Sequence, residues 1–204
     1  MRAISTRWYR PGAIPTAEQR ELADMFTEVA GDFVPPLTSR EGTTQSDLRE
    51  RDPAAAAPDG YLTQLLQQDL ILCKRGDQTA GFLSFRGDHR DPRFADLCPC
   101  LYVSTIAVRH HLRRHGIARA LYRELFDLPE PMPPWIVLRT WSTNTGHLQL
   151  LSRLGFTTIL NLKDDRAAGV DTVYLATNRT AKGGGCVNSA VQLREAGPEG
   201  WRCY

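Results

Sequence analysis

The residues best suited to chemistry lie together in "RHHLRRHGIARA", Arg109 to Ala120. Within it Arg113, Arg114, His115, Gly116, Ile117 and Ala118 set two guanidinium groups beside a small-residue turn that opens a helix. The first N–H groups of a helix have no partners inside it. Together with the helix dipole they form an anion site. Gly116 lets the backbone come close to a phosphate, Ala118 leaves a second approach open, and the arginines add positive charge. The chemistry is capture of a phosphate or pyrophosphate. Two other readings stay open: a helix that is merely capped, and an RNA-binding helix built on Arg109 to His115. The basic run is short, however, and has no aromatic stacking platform beside it. Nucleic acid is therefore not the expected partner.

Such a site needs a strand, a turn and a helix, and the chain supplies them in that order. "CLYVSTIAV" (Cys100 to Val108) is a continuous apolar, β-branched run, the mark of a central strand. The helix that opens near His115 stops at "PEPMPP". Upstream, "AISTRWYR" alternates as an opening strand. Thr16 and Gln19 have the spacing of a capping box, and Leu22, Met25, Phe26 and Val29 share one helix face. "DGYLTQLLQQD" reads as a second helix, and Gly76-Asp77 as a hairpin turn between two strands. Downstream come a buried strand, "WIVLRTW", a helix ended by Gly155, and two last strands joined by "DRAAG". The result is a mixed α/β layer domain over residues 1–178. Residues 179–204 read as a glycine-containing linker (Gly183 to Gly185) and a tail. Val187, Val191, Leu193, Trp201 and Tyr204 give that tail enough apolar surface to dock on the domain or on a second subunit, so a homodimer is open to it.

Composition narrows the class. The 204 residues suit one domain, and a net charge of +2 demands neither nucleic acid nor a membrane surface. No window approaches the roughly 18 apolar residues of a membrane span, and "MRAISTRWYRPG" lacks the apolar core of a signal peptide. Five cysteines at irregular spacing read as reduced thiols, so a cytoplasmic protein is expected. Cys98 and Cys100 form a C-x-C pair without a second pair or a nearby histidine cluster, and no metal is expected.

"STIAVRHHLRRHGIARALY" resembles the acyl-coenzyme A motif of the GNAT superfamily of N-acetyltransferases. "NTGHLQLLSRLGF" is similar to that superfamily's next motif, an Asn followed after ten residues by Gly-Phe. The resemblance covers about residues 1–178. It implies a GNAT-like mixed sheet flanked by helices, with a V-shaped splay between the fourth and fifth strands. It also implies acetyl-CoA as cofactor, a small-molecule or peptide amine as acceptor, and direct acetyl transfer in a ternary complex. Pantetheine would bond the backbone of Ile106, Ala107 and Val108. The pyrophosphate would sit on Arg113 to Ala118, and Asn144 would match the family's cofactor-side Asn.

The family commonly places a tyrosine four residues before the Gly of Gly-Phe, where it protonates the departing thiolate. Here that place is Leu151. Another hydroxyl, Ser142 or Ser152, or the imidazole of His147 could take over. Alternatively, water or the zwitterionic intermediate protonates the sulfur and positioning carries the rate. In the third reading transfer is lost, leaving a non-catalytic acyl-CoA-binding domain. Tyr102 stands where relatives often carry a glutamate that relays the amine proton, although tyrosine is a poor base unless perturbed. Asp164, Asp165 and Asp171 lie in a loop that often borders the family's acceptor site. They read either as a wall for a cationic substrate or as caps of a hairpin turn. "DFVPPLTSR", Asp32 to Arg40, would form the opposite wall.

Overall fold

A computed structural model describes residues 3–40, 42–43 and 58–180, together with the backbone of 194–195. Eight strands form one sheet in the order β1-β2-β3-β4-β5-β7-β6-β8. The chain runs β1 (Ile4–Tyr9), α1 (Thr16–Val29), α2 (Pro58–Leu66), β2 (Asp69–Arg75), β3 (Gln78–His89) and β4 (Cys100–Val108). It continues with α3 (Ile117–Phe126), β5 (Trp135–Trp141), α4 (Thr145–Arg153), β6 (Thr157–Ala167), β7 (Val170–Asn178) and the two-residue β8 (Arg194–Glu195). Through β7 the order matches the sequence reading, which does not include β8. The first four strands pair antiparallel, β4 and β5 are parallel, and β5-β7-β6 is again antiparallel.

Strand alternation sends neighbouring side chains to opposite faces, and each face buries its own set of helices. Leu70, Leu72, Phe82 and Ala107 pack with Leu22, Met25, Phe26 and Val29 of α1 and with Tyr61 and Leu65 of α2. Ile71, Cys73, Leu83, Leu101 and Val103 pack with Ile117, Leu121, Tyr122 and Leu125 of α3 and with Leu151 of α4. Two local expectations change. Pro15, not Thr16, is the N-cap of α1, and no side chain caps it. Gln19 reaches back instead to the Ile14 carbonyl at 2.9 Å. β6 also continues through Asp164, Asp165 and Arg166, which the sequence suggests as a turn. Among the described residues no helix is long and apolar enough to cross a membrane.

The sequence-based domain boundary falls at Asn178, but Arg179 is still tied to the domain. Its N–H donates to the Pro134 carbonyl at 2.8 Å and its guanidinium pairs with Glu130 at 3.0 Å. The rest of the tail lies outside the described residues, apart from Thr180 and β8, which pairs parallel to β6.

Gly81 sets the distance between α3 and the sheet. A Cβ there would sit 2.8 Å from Ile117 Cγ2 and 2.9 Å from the Ala107 carbonyl oxygen. Gly81→Ala is therefore expected to overpack the core by about 1–3 kcal/mol, lowering Tm by roughly 2–4 °C for each kcal/mol. Because Ile117 is the first residue of α3, affinity for CoA should fall together with Tm. Thermal unfolding and calorimetry on the same variant check both outcomes.

Candidate active site

β4 and β5 pair over three residues only, Leu101–Val103 with Ile136–Leu138. The cause lies partly in a bulge on β4. Val103 faces Phe85 and Thr105 faces Ser84, so Ser104 is the extra residue. Its hydroxyl donates to Gln68 Oε1 at 2.7 Å, while Thr105 Oγ1 lies 2.8 Å from the Tyr61 hydroxyl. Beyond the bulge the strands part around a cavity of about 650 Å³, lined by Val103–Val108 on one side and Leu138–Trp141 on the other.

At one end of the cavity lie Arg113, Arg114, Gly116, Ile117 and Ala118. Gly116 is the N-cap of α3 with φ of 82°, a left-handed conformation that suits glycine. A Cβ there would meet nothing within 4 Å, so the space before the helix N-terminus is open. His115 is outside the lining, with Nδ1 2.8 Å from the Arg113 carbonyl oxygen. Arg113 bonds the Val108 carbonyl at 3.2 Å and pairs closely with Asp32, which also lies 2.8 Å from His110. Arg109 is bound by Glu28 at 2.6 Å and by the Thr79 carbonyl. Part of the basic run is thus balanced within the fold, which removes much of the charge an RNA-binding surface would present.

Among the proton-carrying candidates, only His147 lines the cavity, as does Asn144, whose Nδ2 donates to Thr140 Oγ1 at 3.2 Å. His147 Nε2 is 2.8 Å from the hydroxyl of Tyr122, a residue the sequence reading did not single out. Burial pushes the imidazole down from 6.5 to about 4, so it is neutral at physiological pH. Buried Tyr122 has no other acceptor among the described residues, so its hydroxyl donates to Nε2. The ring proton then sits on Nδ1.

The other candidates lie elsewhere. Tyr102 is buried between His89 and the β6–β7 core, its ring 4.3 Å from the His89 ring, and burial pushes its hydroxyl up to about 12. That shift is opposite to what a base requires. Ser142 accepts the Asp171 N–H at 3.0 Å and closes the end of the β5–β7 ladder. Ser152 is exposed and outside the cavity lining.

Leu151 is 0% exposed and packs in the α3/α4 core, while its neighbour Leu150 reaches the cavity. Leu151→Tyr is accordingly expected to destabilise rather than restore an acid. The larger ring overpacks the core by about 1–3 kcal/mol and brings a hydroxyl into apolar surroundings. Thermal unfolding of this variant checks the direction.

The expected acidic wall is replaced by a basic one. Asp164 accepts the Gly169 N–H at 2.6 Å, and Asp171 accepts from Asn161 at 3.0 Å and from the Asp164 N–H. Asp165 accepts the Thr172 hydroxyl at 2.6 Å. All three carboxylates serve the β6–β7 hairpin and none lines the cavity. Arg166, between them in sequence, does line it, with Arg139 of β5 and with Phe33 and Arg40 from the stretch expected to form the opposite wall.

The model of the Acetyltransferase (GNAT) family matches residues 33–156, and the chain belongs to that family. The E. coli ribosomal-protein-S18-alanine N-acetyltransferase structure shares the fold at TM-score 0.57 and 16% identity, covering 88% of this chain and 97% of its own. Ribosomal-protein-alanine N-acetyltransferase from Brucella melitensis aligns at TM-score 0.59 and 15% identity, covering 85% and 99%. The yncA structure from Salmonella typhimurium, which contains its cofactor acetyl-CoA, aligns at TM-score 0.58 and 15% identity, covering 88% and 95%. No curated protein matches the chain.

Proposed function

We propose that this protein transfers an acetyl group from acetyl-CoA to a primary amine, by direct attack within a ternary complex. The observation that carries this reading is one continuous cavity. It joins an open, glycine-capped helix N-terminus to the part of β4 that has left β5 and to the side chains of Arg40, Arg139 and Arg166. Acetyl-CoA supplies an acetyl group already activated as a thioester. Arg114 and the first-turn N–H groups of α3 suit its pyrophosphate, and Arg113 would join them by exchanging Asp32 for phosphate. Among the described residues β4 does not pair with β5 at Ile106–Val108, so its backbone there suits pantetheine, and an N–H aimed at the thioester would favour negative charge on the carbonyl oxygen. Asn144 adds a polar group on the facing side.

The neutral imidazole of His147 provides an Nδ1–H donor for charge developing on the departing sulfur. Tyr122 holds the tautomer. The attacking amine loses one proton in becoming an amide and the thiol gains one, so the exchange balances without metal or oxidant. Buried Cys73 and Cys100 are free thiols, in keeping with a reducing, cytoplasmic setting.

Thiol release from acetyl-CoA, measured with panels of primary amines, tests the proposal. Acetylated amine formed in step with free thiol is the expected result. Leu151 in place of the family tyrosine favours a second reading, an acyl-CoA-binding domain without turnover. A CoA-dependent rise in Tm with no thiol release for any amine would establish that reading instead.

A further inference from the structure

Three arginines line the cavity where it passes beyond the splay, and two of them are almost wholly buried. Arg40 is 6% and Arg166 3% exposed. Arg139 projects from β5 beside them, and its strand partner is Tyr174. Arg40 bonds the Pro35 carbonyl through Nε at 3.1 Å and Nη2 at 2.9 Å. Arg166 bonds Thr172 Oγ1 at 3.1 Å and the Val34 carbonyl. These are neutral acceptors. Among the described residues no ion pair reaches Arg40 or Arg166.

Burial and mutual repulsion both act against these charges. Burial, and after it the field of Arg139, push Arg40 down to about 10. Burial, then Arg40 and Arg139, push Arg166 down to about 9, against the opposing pull of Tyr102 and of Asp165, to which Thr172 links it. The nearby aromatic rings already interact with these cations. The Arg40 guanidinium lies 5.7 Å from the Phe33 ring and that of Arg166 5.5 Å from the Trp141 ring, while the two rings are 5.8 Å apart. A second cation would find occupied π faces and like charge. An anion would find guanidinium donors in a desolvated pocket, where charge-assisted bonds are strongest.

We infer that the acceptor is a primary amine that also carries a carboxylate, of the amino-acid type, with the carboxylate held by Arg40 and Arg166. This rests on the N-acetyltransferase reading given above. None of the three aspartates expected to serve the acceptor reaches the cavity.

Matched acceptors provide the test: an α-amino acid, its carboxamide and its decarboxylated amine, assayed by thiol release with the full-length protein. Loss of charged hydrogen bonds predicts kcat/KM lower by on the order of 10–10²-fold for the two analogues. Arg166→Gln should reduce this preference, read as the ratio of kcat/KM for the amino acid to that for its carboxamide. Arg40 and Arg166 also brace the Val34–Pro35 turn, so the variant's fold requires a check and the wild type needs its own readout. Calorimetry with CoA and an N-acetyl amino acid, against its carboxamide, gives one that requires no turnover. Carboxylate-dependent binding is expected. Equal binding of the two, or decarboxylated amines and peptide N-termini used as well as free amino acids, would overturn the inference. Absence of thiol release with every amine, but carboxylate-dependent binding intact, would count against the transferase reading and leave the anion pocket standing.

Discussion

Gly116→Glu will abolish measurable CoA binding and leave a folded protein. A Cβ at this position meets nothing within 4 Å, so the substitution causes no clash. Holding a non-glycine residue at φ of 82° costs about 1–2 kcal/mol in the left-handed region, a tolerable loss of stability. The new carboxylate, however, projects into the open space before α3 and places negative charge where phosphate must sit. Like-charge juxtaposition costs several kcal/mol, so Kd should rise by more than about 10²-fold. Calorimetry with CoA, beside thermal unfolding, reads both parts. Unchanged affinity in a folded variant would remove Gly116 from the anion site. Gly116→Ala is the informative companion, since it carries the backbone strain without the charge and should lose far less affinity.

The second large effect is expected at His147. His147→Ala should lower kcat by on the order of 10²-fold, the usual loss when one aligned donor to developing charge is removed, with CoA affinity changed only slightly. Tyr122→Phe should lower kcat less, because it frees the imidazole tautomer without removing the ring. The pH dependence separates this role from an ordinary histidine acid. A ring with its pKa near 4 stays neutral above that value, so kcat should show no inflection near 6.5 attributable to His147. Stability moves with pH as well. Between about 4 and 6.5 the unfolded chain binds a proton that the folded ring does not, so stability rises with pH through this window and is lost as pH falls. An inflection near 6.5 that disappears in His147→Ala would show that the ring titrates in the working enzyme, contrary to its position against Tyr122.

The elements most easily read in the sequence are those with strong periodicity. α3 and α4 declare their buried faces, and Gly116 and Gly155 both adopt the positive φ values, 82° and 81°, that a helix boundary with glycine suggests. The glycine turn that opens α3 is legible because it is local, made of neighbouring residues in one strand–turn–helix unit. The catalytic and acceptor residues depend instead on which way side chains point. The bulge at Ser104 inverts the alternation along β4, so Thr105 and Ala107 join the α1/α2 face and Ile106 faces α3, whereas a regular strand would pair Ile106 with Tyr102. One inserted residue of this kind has no signature in a string of β-branched residues. Similarly, the charge of "DDRAAGVD" drew the eye to its aspartates. The strand continues through Arg166 with an irregular register between Leu162 and Ala167, where the arginine reaches the cavity and the carboxylates are committed to the hairpin. Tyr122 stands on the buried stripe of α3 with nothing to distinguish it from a core residue until His147 is brought to it from α4.

A strand with an unpaired edge on the outside of a protein is a template for another chain, and such edges invite aggregation. Among the described residues, the three-residue seam between β4 and β5 leaves Ser104–Ala107 and Arg139–Thr140 without a strand partner across the cleft, and both stretches line its interior. A foreign β-strand would need room for side chains on both faces of the sheet. Here those faces are occupied, by α3 and α4 on one side and by the Phe33 and Arg40 segment on the other. The molecule can therefore keep exposed backbone donors and acceptors ready for a slender ligand while remaining closed to its own kind.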